Sequence, residues 1–379
     1  MIDLKKIECT GCTACQSICP KEAICMEANQ EGFKYPVIDM QKCIQCGLCV
    51  KTCDGRHDWA SKDGVLNAYG AKAKNDAERK KSQSGGAFWV FAQDVICSGG
   101  IVYGVRIDDD YTARHARAAT LEELAAFRGS KYVQSDLGHI FESVKKDLEE
   151  KRNVLFSGTP CQIAGLNAFL QKQYANLVTI DLICHGVPSP RVWKDYIDYQ
   201  KQKHDHQSLN EIDFRDKNLP WGAHRELLVF DGVPYSYDIY ASLFYSHVML
   251  RKSCFKCEFS NLNRVSDITI GDFWGVEAVN KSFKDDFGVS AILIHSQKGQ
   301  ALFETIKNKL HYFPCNAEDI AKKNPPLSRP PKYPPARARF WRDYERGIHY
   351  VINKYSAVSL RYKLKKVAYR TLKKLNILR

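Results

Sequence analysis

The chain has 379 residues, 44% of them hydrophobic, with 15 cysteines and a formal net charge of +13. Ten Lys and Arg lie between Arg346 and Arg379, where no acidic residue occurs, so the other 345 residues carry only +3. The basic balance belongs to a tail, which excludes nucleic acid as the partner of the body, and no apolar run reaches the roughly 18 residues that a membrane-spanning helix needs.

The length leaves room for two or three domains and a sizeable core. Met1-Ile2-Asp3-Leu4-Lys5-Lys6 has no apolar segment behind its charges, so no secretory signal is expected and the chain reads as cytoplasmic. In a reducing compartment 15 cysteines are too many for structural use, and metal ligation accounts for them.

The first sixty residues carry one cysteine pattern twice. Cys9-x2-Cys12-x2-Cys15-x3-Cys19-Pro20 recurs 34 residues later as Cys43-x2-Cys46-x2-Cys49-x3-Cys53. Three thiolates from one tight loop and a fourth from the other repeat suit a [4Fe–4S] cube. The spacing therefore predicts one cluster on Cys9, Cys12, Cys15 and Cys53, and a second on Cys43, Cys46, Cys49 and Cys19. Zinc motifs lack the additional x3-Cys, and a disulfide framework needs a secreted context. Asp54, not proline, follows Cys53, and Cys25 is an extra thiol without a role. Between the repeats, Asn29-Gln30-Glu31-Gly32 before Tyr35-Pro36-Val37-Ile38 predicts a hairpin. Residues 1–58 resemble the bacterial two-cluster ferredoxins, an α+β module.

Beyond the repeats, Ala68-Tyr69-Gly70-Ala71 reads as a strand. Ser84-Gly85-Gly86 opens an apolar helix from Ala87. Such a turn offers unobstructed backbone N–H groups to a phosphate, and it equally suits a plain helix start. Gly99 to Val105 reads as a strand, Leu121 to Phe127 as a short helix and residues 140–151 as an amphipathic helix. Ser130-Lys131-Tyr132 lies in the polar loop between the two helices. Val154 to Phe156 and Leu177 to Ile183 are buried strands. The first runs through Gly158-Thr159-Pro160-Cys161-Gln162 into a helix, and the second ends in Cys184-His185-Gly186-Val187-Pro188-Ser189. Strands alternating with helices imply an α/β body with a mixed or mainly parallel sheet, whose ligands gather at the carboxyl ends of the strands. Cys254-x2-Cys257 follows in a loop, and Asp267 to Gly275 forms a strand and a sharp turn. On spacing alone, Cys161, Cys184, Cys254 and Cys257 fit a third cluster, a redox dithiol, half a zinc site or small core residues.

The motifs at Ser84, Ser130, Gly158, Cys184, Cys254 and Ile270, in that order, resemble the beta-subunit family of coenzyme F420 (deazaflavin) hydrogenases and dehydrogenases over residues 65–315. The resemblance implies FAD and a third [4Fe–4S] cluster on Cys161, Cys184, Cys254 and Cys257. It also implies flavin contacts from Ser84, Gly85, Gly86, Ser130, Lys131, Tyr132, Thr159 and Pro160. Forms with a fused ferredoxin head and a basic tail are similar to those beside bacterial surface-polysaccharide genes. Lys131 and His185 are the candidate catalytic side chains, His185 as a general acid.

The expected organisation is a ferredoxin domain over 1–60, a flavin-contacting region over 61–145, a domain with third cluster and cleft over 146–320, and a Pro-rich linker with a basic helical tail over 321–379. The expected function is electron transfer from ferredoxin or another low-potential donor, through the clusters and FAD, to a small-molecule or glycan substrate. Two other readings stand beside it, an adapter for a separate catalytic partner protein and a deazaflavin-dependent oxidoreductase. Asn324 to Pro335 holds six prolines in twelve residues and reads as a spacer ending the globular body. The stripe of Leu360, Leu364, Val367, Thr371, Leu375 and Leu378 among basic residues suits either an anionic membrane surface or a protein face. Membrane contact would place the protein at the inner face of the membrane. Cys97 and Cys315, like Cys25, have no assigned role.

Overall fold

The structure, a computed structural model, describes residues 9–55, 64–205, 208–359 and 364. In the head, β1 (Ile24–Ala28) and β2 (Lys34–Ile38) form the expected antiparallel hairpin, with Ile24 opposite Ile38. Asn29 closes it by accepting the N–H groups of Glu31 and Phe33 at 3.1 and 3.0 Å. A short helix follows each cysteine loop, Ala14–Ser17 and Leu48–Asp54, entered from left-handed Thr13 (φ 59°) and Gly47 (φ 76°).

The body is built on one eight-stranded sheet. Its strands are β3 (Asn67–Ala73), β4 (Ile101–Ile107), β5 (Ala113–Ala118), β6 (Val154–Gly158), β7 (Leu177–Leu182), and, beyond a smaller sheet of β8 (Leu209–Asp213), β9 (Glu226–Phe230) and β10 (Val233–Tyr237), β11 (Ile268–Asp272), β12 (Ser290–Ile294) and β13 (Leu310–Cys315). The order is β13-β3-β12-β11-β7-β6-β4-β5. The central four, β11, β7, β6 and β4, run parallel, and the strands on both flanks pair antiparallel. Thus the sheet is mixed with a parallel centre. The segments 61–145 and 146–320, read separately above, both supply strands to it.

Both faces of the sheet are covered, so its central strands are mostly apolar, and the polar side chains they bury are paired, as Thr269 is with Asp181 at 2.6 Å. Helix Ala87–Cys97 packs Phe91 and Val90 against Val102, Leu155 and Ile180 on one face. Helices Ile140–Glu149 and Pro160–Leu170 pack Phe141, Val144 and Ile163 against Tyr103 and Phe156 on the other. Each fully buried side chain of this size contributes about 1.5–3 kcal/mol.

The smaller antiparallel sheet and helices Pro190–His204 and Ile239–Tyr245 enclose an aromatic core around Trp193, Tyr196 and Tyr240. Two helices beyond the proline-rich segment, Arg337–Tyr344 and Ile348–Tyr355, bury Phe340, Tyr344, Val351 and Ile352 in the same core. The prolines therefore bridge two parts of the folded body and do not end it. In the sequence their stiffness marks a boundary, and the four apolar positions beyond them, spread over two short helices, give too weak a pattern to offset it. Of the tail stripe only Leu364 lies within the described residues, where it is helical and exposed.

The head is seated on the body by polar contacts. Lys34 pairs with Asp136 at 2.6 Å, Arg191 donates to Gln30 O at 2.6 Å, and the buried guanidinium of Arg337 pairs with Glu31. Among the described residues no helix is long and apolar enough to cross a membrane.

Candidate functional site

The head's thiols gather across the repeats. Cys15 is buried, and burial first, then the neighbouring thiols of Cys12, Cys9 and Cys53, hold its pKa far above the usual range. Cys49 is raised by burial and by Cys46 and Cys19, and Cys19, Cys43, Cys46 and Cys49 line one small cavity. Cys9, Cys12 and Cys53 thus lie around Cys15, and Cys19, Cys43 and Cys46 around Cys49. A cube spreads its four thiolates over its corners, further apart than the ligands of one ion. Among the described residues no three acidic, His or Cys side chains converge as they would on a single metal ion.

The four thiols of the body also meet. Cys161 enters the first turn of helix Pro160–Leu170, behind the Thr159 cap. Cys184 lies two residues past β7, and Cys254 in a 3-10 turn spanning Lys252–Lys256. Burial and then Cys257 and Cys254 push Cys161 up to about 12, and burial and then Cys254 and Cys161 push Cys184 well above its usual value. Hydrogen bonds already reach the sulfurs. Gly186 N–H donates to Cys184 Sγ and Val187 N–H to Cys254 Sγ, both at 3.4 Å, and Thr159 Oγ1 lies 3.2 Å from Cys161 Sγ. Cys12 of the head is among the thiols acting on Cys161, so this group adjoins the first head group.

Beside it opens a cavity of about 490 Å³ at the carboxyl ends of β6, β7 and β11. That volume lies within the range of small-molecule and cofactor sites. Ser84, Gly86, Ser130, Lys131, Tyr132, Thr159, Cys184 and His185 all line it. Two expected contacts do not. Pro160 is turned into the helix start and buried. A Cβ on Gly85 would run into Ala71 O and come within 2.6 Å of Ser290 N, so glycine is needed there for the approach to β3 and β12.

The side chains differ from a simple phosphate cradle. Ser84 Oγ donates to Val289 O at 2.7 Å, which occupies its hydroxyl. Lys131 folds back on its own loop, donating to Arg128 O at 2.6 Å and Ala126 O at 3.0 Å, and burial lowers its pKa to about 7. Tyr132 stacks on Phe244 with centroids 4.8 Å apart. His185 stands edge-on to Tyr245 and makes no hydrogen bond among the described residues; burial lowers its pKa.

Sequence reading missed the far wall. Tyr245 Oη and His224 Nδ1 lie 2.8 Å apart, and burial lowers His224 to about 4. Asp272, on the same wall, is held by Arg215 at 2.5 Å and Trp221 Nε1 at 2.8 Å. Trp221 in turn stacks on Trp274. Trp89 also lines the cavity under the Arg128 guanidinium, 3.2 Å from its ring, and its indole N–H has no hydrogen-bond partner among the described residues. Asp272 and Trp274 sit in the glycine motif after β11, whereas no local pattern marks His224 or Tyr245.

Residues 151–317 match the family model for the C terminus of the beta subunit of coenzyme F420 hydrogenase/dehydrogenase, and residues 8–54 match the 4Fe-4S dicluster domain. A similar curated protein is NADH-quinone oxidoreductase subunit I 2 of Geobacter metallireducens, 43% identical over 53 residues. Those residues are 13% of this chain, which spans only 40% of that protein's length. Among solved structures, a chain of the F420-reducing [NiFe] hydrogenase complex from Methanosarcina barkeri aligns with a TM-score of 0.45 and 16% identity. That alignment covers 76% of this chain and 94% of the other. The chain thus carries, over residues 8–54, a segment that matches the 4Fe-4S dicluster domain and, over residues 151–317, one that matches the C terminus of the beta subunit of coenzyme F420 hydrogenase/dehydrogenase.

Proposed function

We propose that this chain is an iron–sulfur flavoprotein oxidoreductase that accepts electrons at its head and delivers them to an organic substrate in the cavity. One observation carries the reading: Cys184 belongs both to the four-thiol group and to the cavity wall. A third [4Fe–4S] cluster on Cys161, Cys184, Cys254 and Cys257 would therefore adjoin whatever the cavity holds. Clusters carry single electrons, and FAD in the cavity would supply the conversion to a two-electron transfer that most organic reductions need.

The residues support each part. Cys12 lies beside Cys161, so the head's first cluster is the inner one and its second the outer, near exposed Ile44 and Met40. A ferredoxin or other low-potential donor would meet that outer end. Trp89 offers an uncommitted donor, and Tyr132 and Phe244 offer an apolar stacked wall suited to a ring system. Lys131 and His185 are the side chains we assign to contact with flavin or substrate.

The test is anaerobic purification followed by iron and flavin analysis. Three clusters predict roughly 12 Fe per chain, and a Cys254→Ser, Cys257→Ser double variant should retain roughly 8, with one FAD in the wild type. Full iron retention in that variant would remove the third cluster, and a chain that binds no flavin would remove the rest. Reduced ferredoxin and reduced coenzyme F420, offered separately, distinguish the two donors. A flavin reduced by either, with no small molecule then turned over, would identify an adapter for a separate catalytic partner protein.

A further inference from the structure

Five arginines are buried among the described residues: Arg79, Arg215, Arg251, Arg264 and Arg337. Four pair with a carboxylate: Arg79 with Asp285, Arg215 with Asp272, Arg264 with Asp181 and Arg337 with Glu31. Arg251 is 1% exposed and has no carboxylate within ion-pair distance among the described residues. A buried guanidinium without an opposite charge is costly enough that proteins avoid it.

The position of Arg251 identifies where that charge lies. Its Nε donates to Cys9 O at 2.8 Å, and its Nη2 donates to Lys34 O at 2.9 Å and approaches Cys9 Sγ at 3.7 Å. Its Nη1 donates to Gln134 Oε1 at 3.1 Å, and its guanidinium lies 4.3 Å from the Tyr35 ring centroid. All these partners are neutral in the folded chain except the cysteine, which becomes a thiolate when it holds iron. Four thiolates leave a cube with net negative charge, and reduction adds one electron more.

We propose that Arg251 is the internal counter-ion of the cluster on Cys9, Cys12, Cys15 and Cys53, and that it raises the reduction potential of that cluster. Potential in such clusters is set by net charge, hydrogen bonds to sulfur and solvent exposure, and Arg251 acts on the first two. It also ties this cluster to the next group of thiols, because Cys254 N–H donates to Arg251 O at 3.0 Å. A single residue thus lies between the inner cluster of the head and the thiols of the body, biasing electrons inward. The inference rests on the iron–sulfur head and is independent of the flavin.

The experiment is a redox titration of the anaerobic full-length protein followed by EPR, with iron content measured in parallel. In Arg251→Gln the inner cluster should become harder to reduce by about tenfold in its equilibrium constant, 59 mV for one electron, while the outer cluster keeps its midpoint. Arg251→Lys should stay near the wild type, since it keeps the charge. An unchanged midpoint in an Arg251→Gln protein with full iron overturns the proposal, as does a Lys variant that falls as far as Gln. If Arg251→Gln loses iron, Gln134→Glu decides the matter. It places a carboxylate on the guanidinium and should lower the same midpoint, and an unshifted midpoint there rejects the counter-ion role. Loss of iron from the head in the wild type itself would instead mark failure of the cluster assignment.

Discussion

Gly165 and Cys12 touch across the junction of body and head: a Cβ built on Gly165 would lie 2.7 Å from Cys12 Cβ and 2.9 Å from its Sγ. Gly165 is on helix Pro160–Leu170, one turn beyond Cys161, so the helix that carries a body thiol also forms the floor under a head thiol. Gly165→Ala should destabilise the folded chain by about 1–3 kcal/mol, the usual cost of overpacking. The loss should appear as a lower Tm together with faster iron release from the head. A variant that matches the wild type in both would show that the junction yields easily.

Gly85 and Gly86 separate two roles that the sequence merges. Gly86 has φ +83°, and a Cβ placed on it would meet nothing closer than 3.4 Å, whereas Gly85 is hemmed in by β3 and β12. Gly86→Val should therefore cost about 1–2 kcal/mol in backbone strain and narrow the cavity, releasing flavin while iron stays constant. Gly85→Ala should lower Tm further, because the neighbouring atoms are backbone and cannot give way. Equal flavin content in folded Gly86→Val and wild type would move the flavin away from this turn.

Glu226 supplies a pH signature. It is buried and accepts from Tyr196 Oη at 2.9 Å, Tyr240 N at 2.8 Å and Ala241 N at 3.2 Å, at the start of the helix that presents Phe244 and Tyr245 to the cavity. Burial raises its pKa to about 7. A folded pKa above the unfolded value means that the native state binds the extra proton, so stability falls as pH rises from about 4.5 to about 7. Glu226→Gln removes this slope. The Tm of wild type minus that of the variant should therefore decrease between pH 5 and pH 8, and a difference independent of pH would refute the assignment.

How legible all this was depended on the range of the signal. Cysteine spacing is local, so the two head sets could be read across the repeat, and the strand–loop–helix rhythm announced a sheet with a parallel centre. The cavity wall opposite Cys184 was not legible. His224 and Tyr245 come together because the β8–β10 sheet and the helix Ile239–Tyr245 fold over the strand ends, a contact with no sequence period. Gly85 shows the reverse failure: a motif suited to a phosphate exists there because two strands pass too close for a side chain. Arg251 is invisible for a third reason, since its partner is a thiol 242 residues away.

Because the chain up to Ser359 belongs to the folded body, membrane docking by the tail must be tested with a control that keeps the aromatic core. Arg361, Lys363, Lys365, Lys366, Arg370, Lys373 and Lys374 accompany the apolar stripe from Leu360 to Leu378. On an anionic surface each nearby cation contributes about 1 kcal/mol, so the full chain should sediment with anionic vesicles at low salt and leave them as salt rises. The control should end at Ser359. A shorter one, ending at Arg339, would remove Phe340, Tyr344, Val351 and Ile352 from the aromatic core and would test unfolding instead. The version ending at Ser359 should keep its iron and its Tm and stay in the supernatant with either lipid. If the full chain also stays there with anionic lipid, the basic stripe packs on protein and membrane docking is wrong.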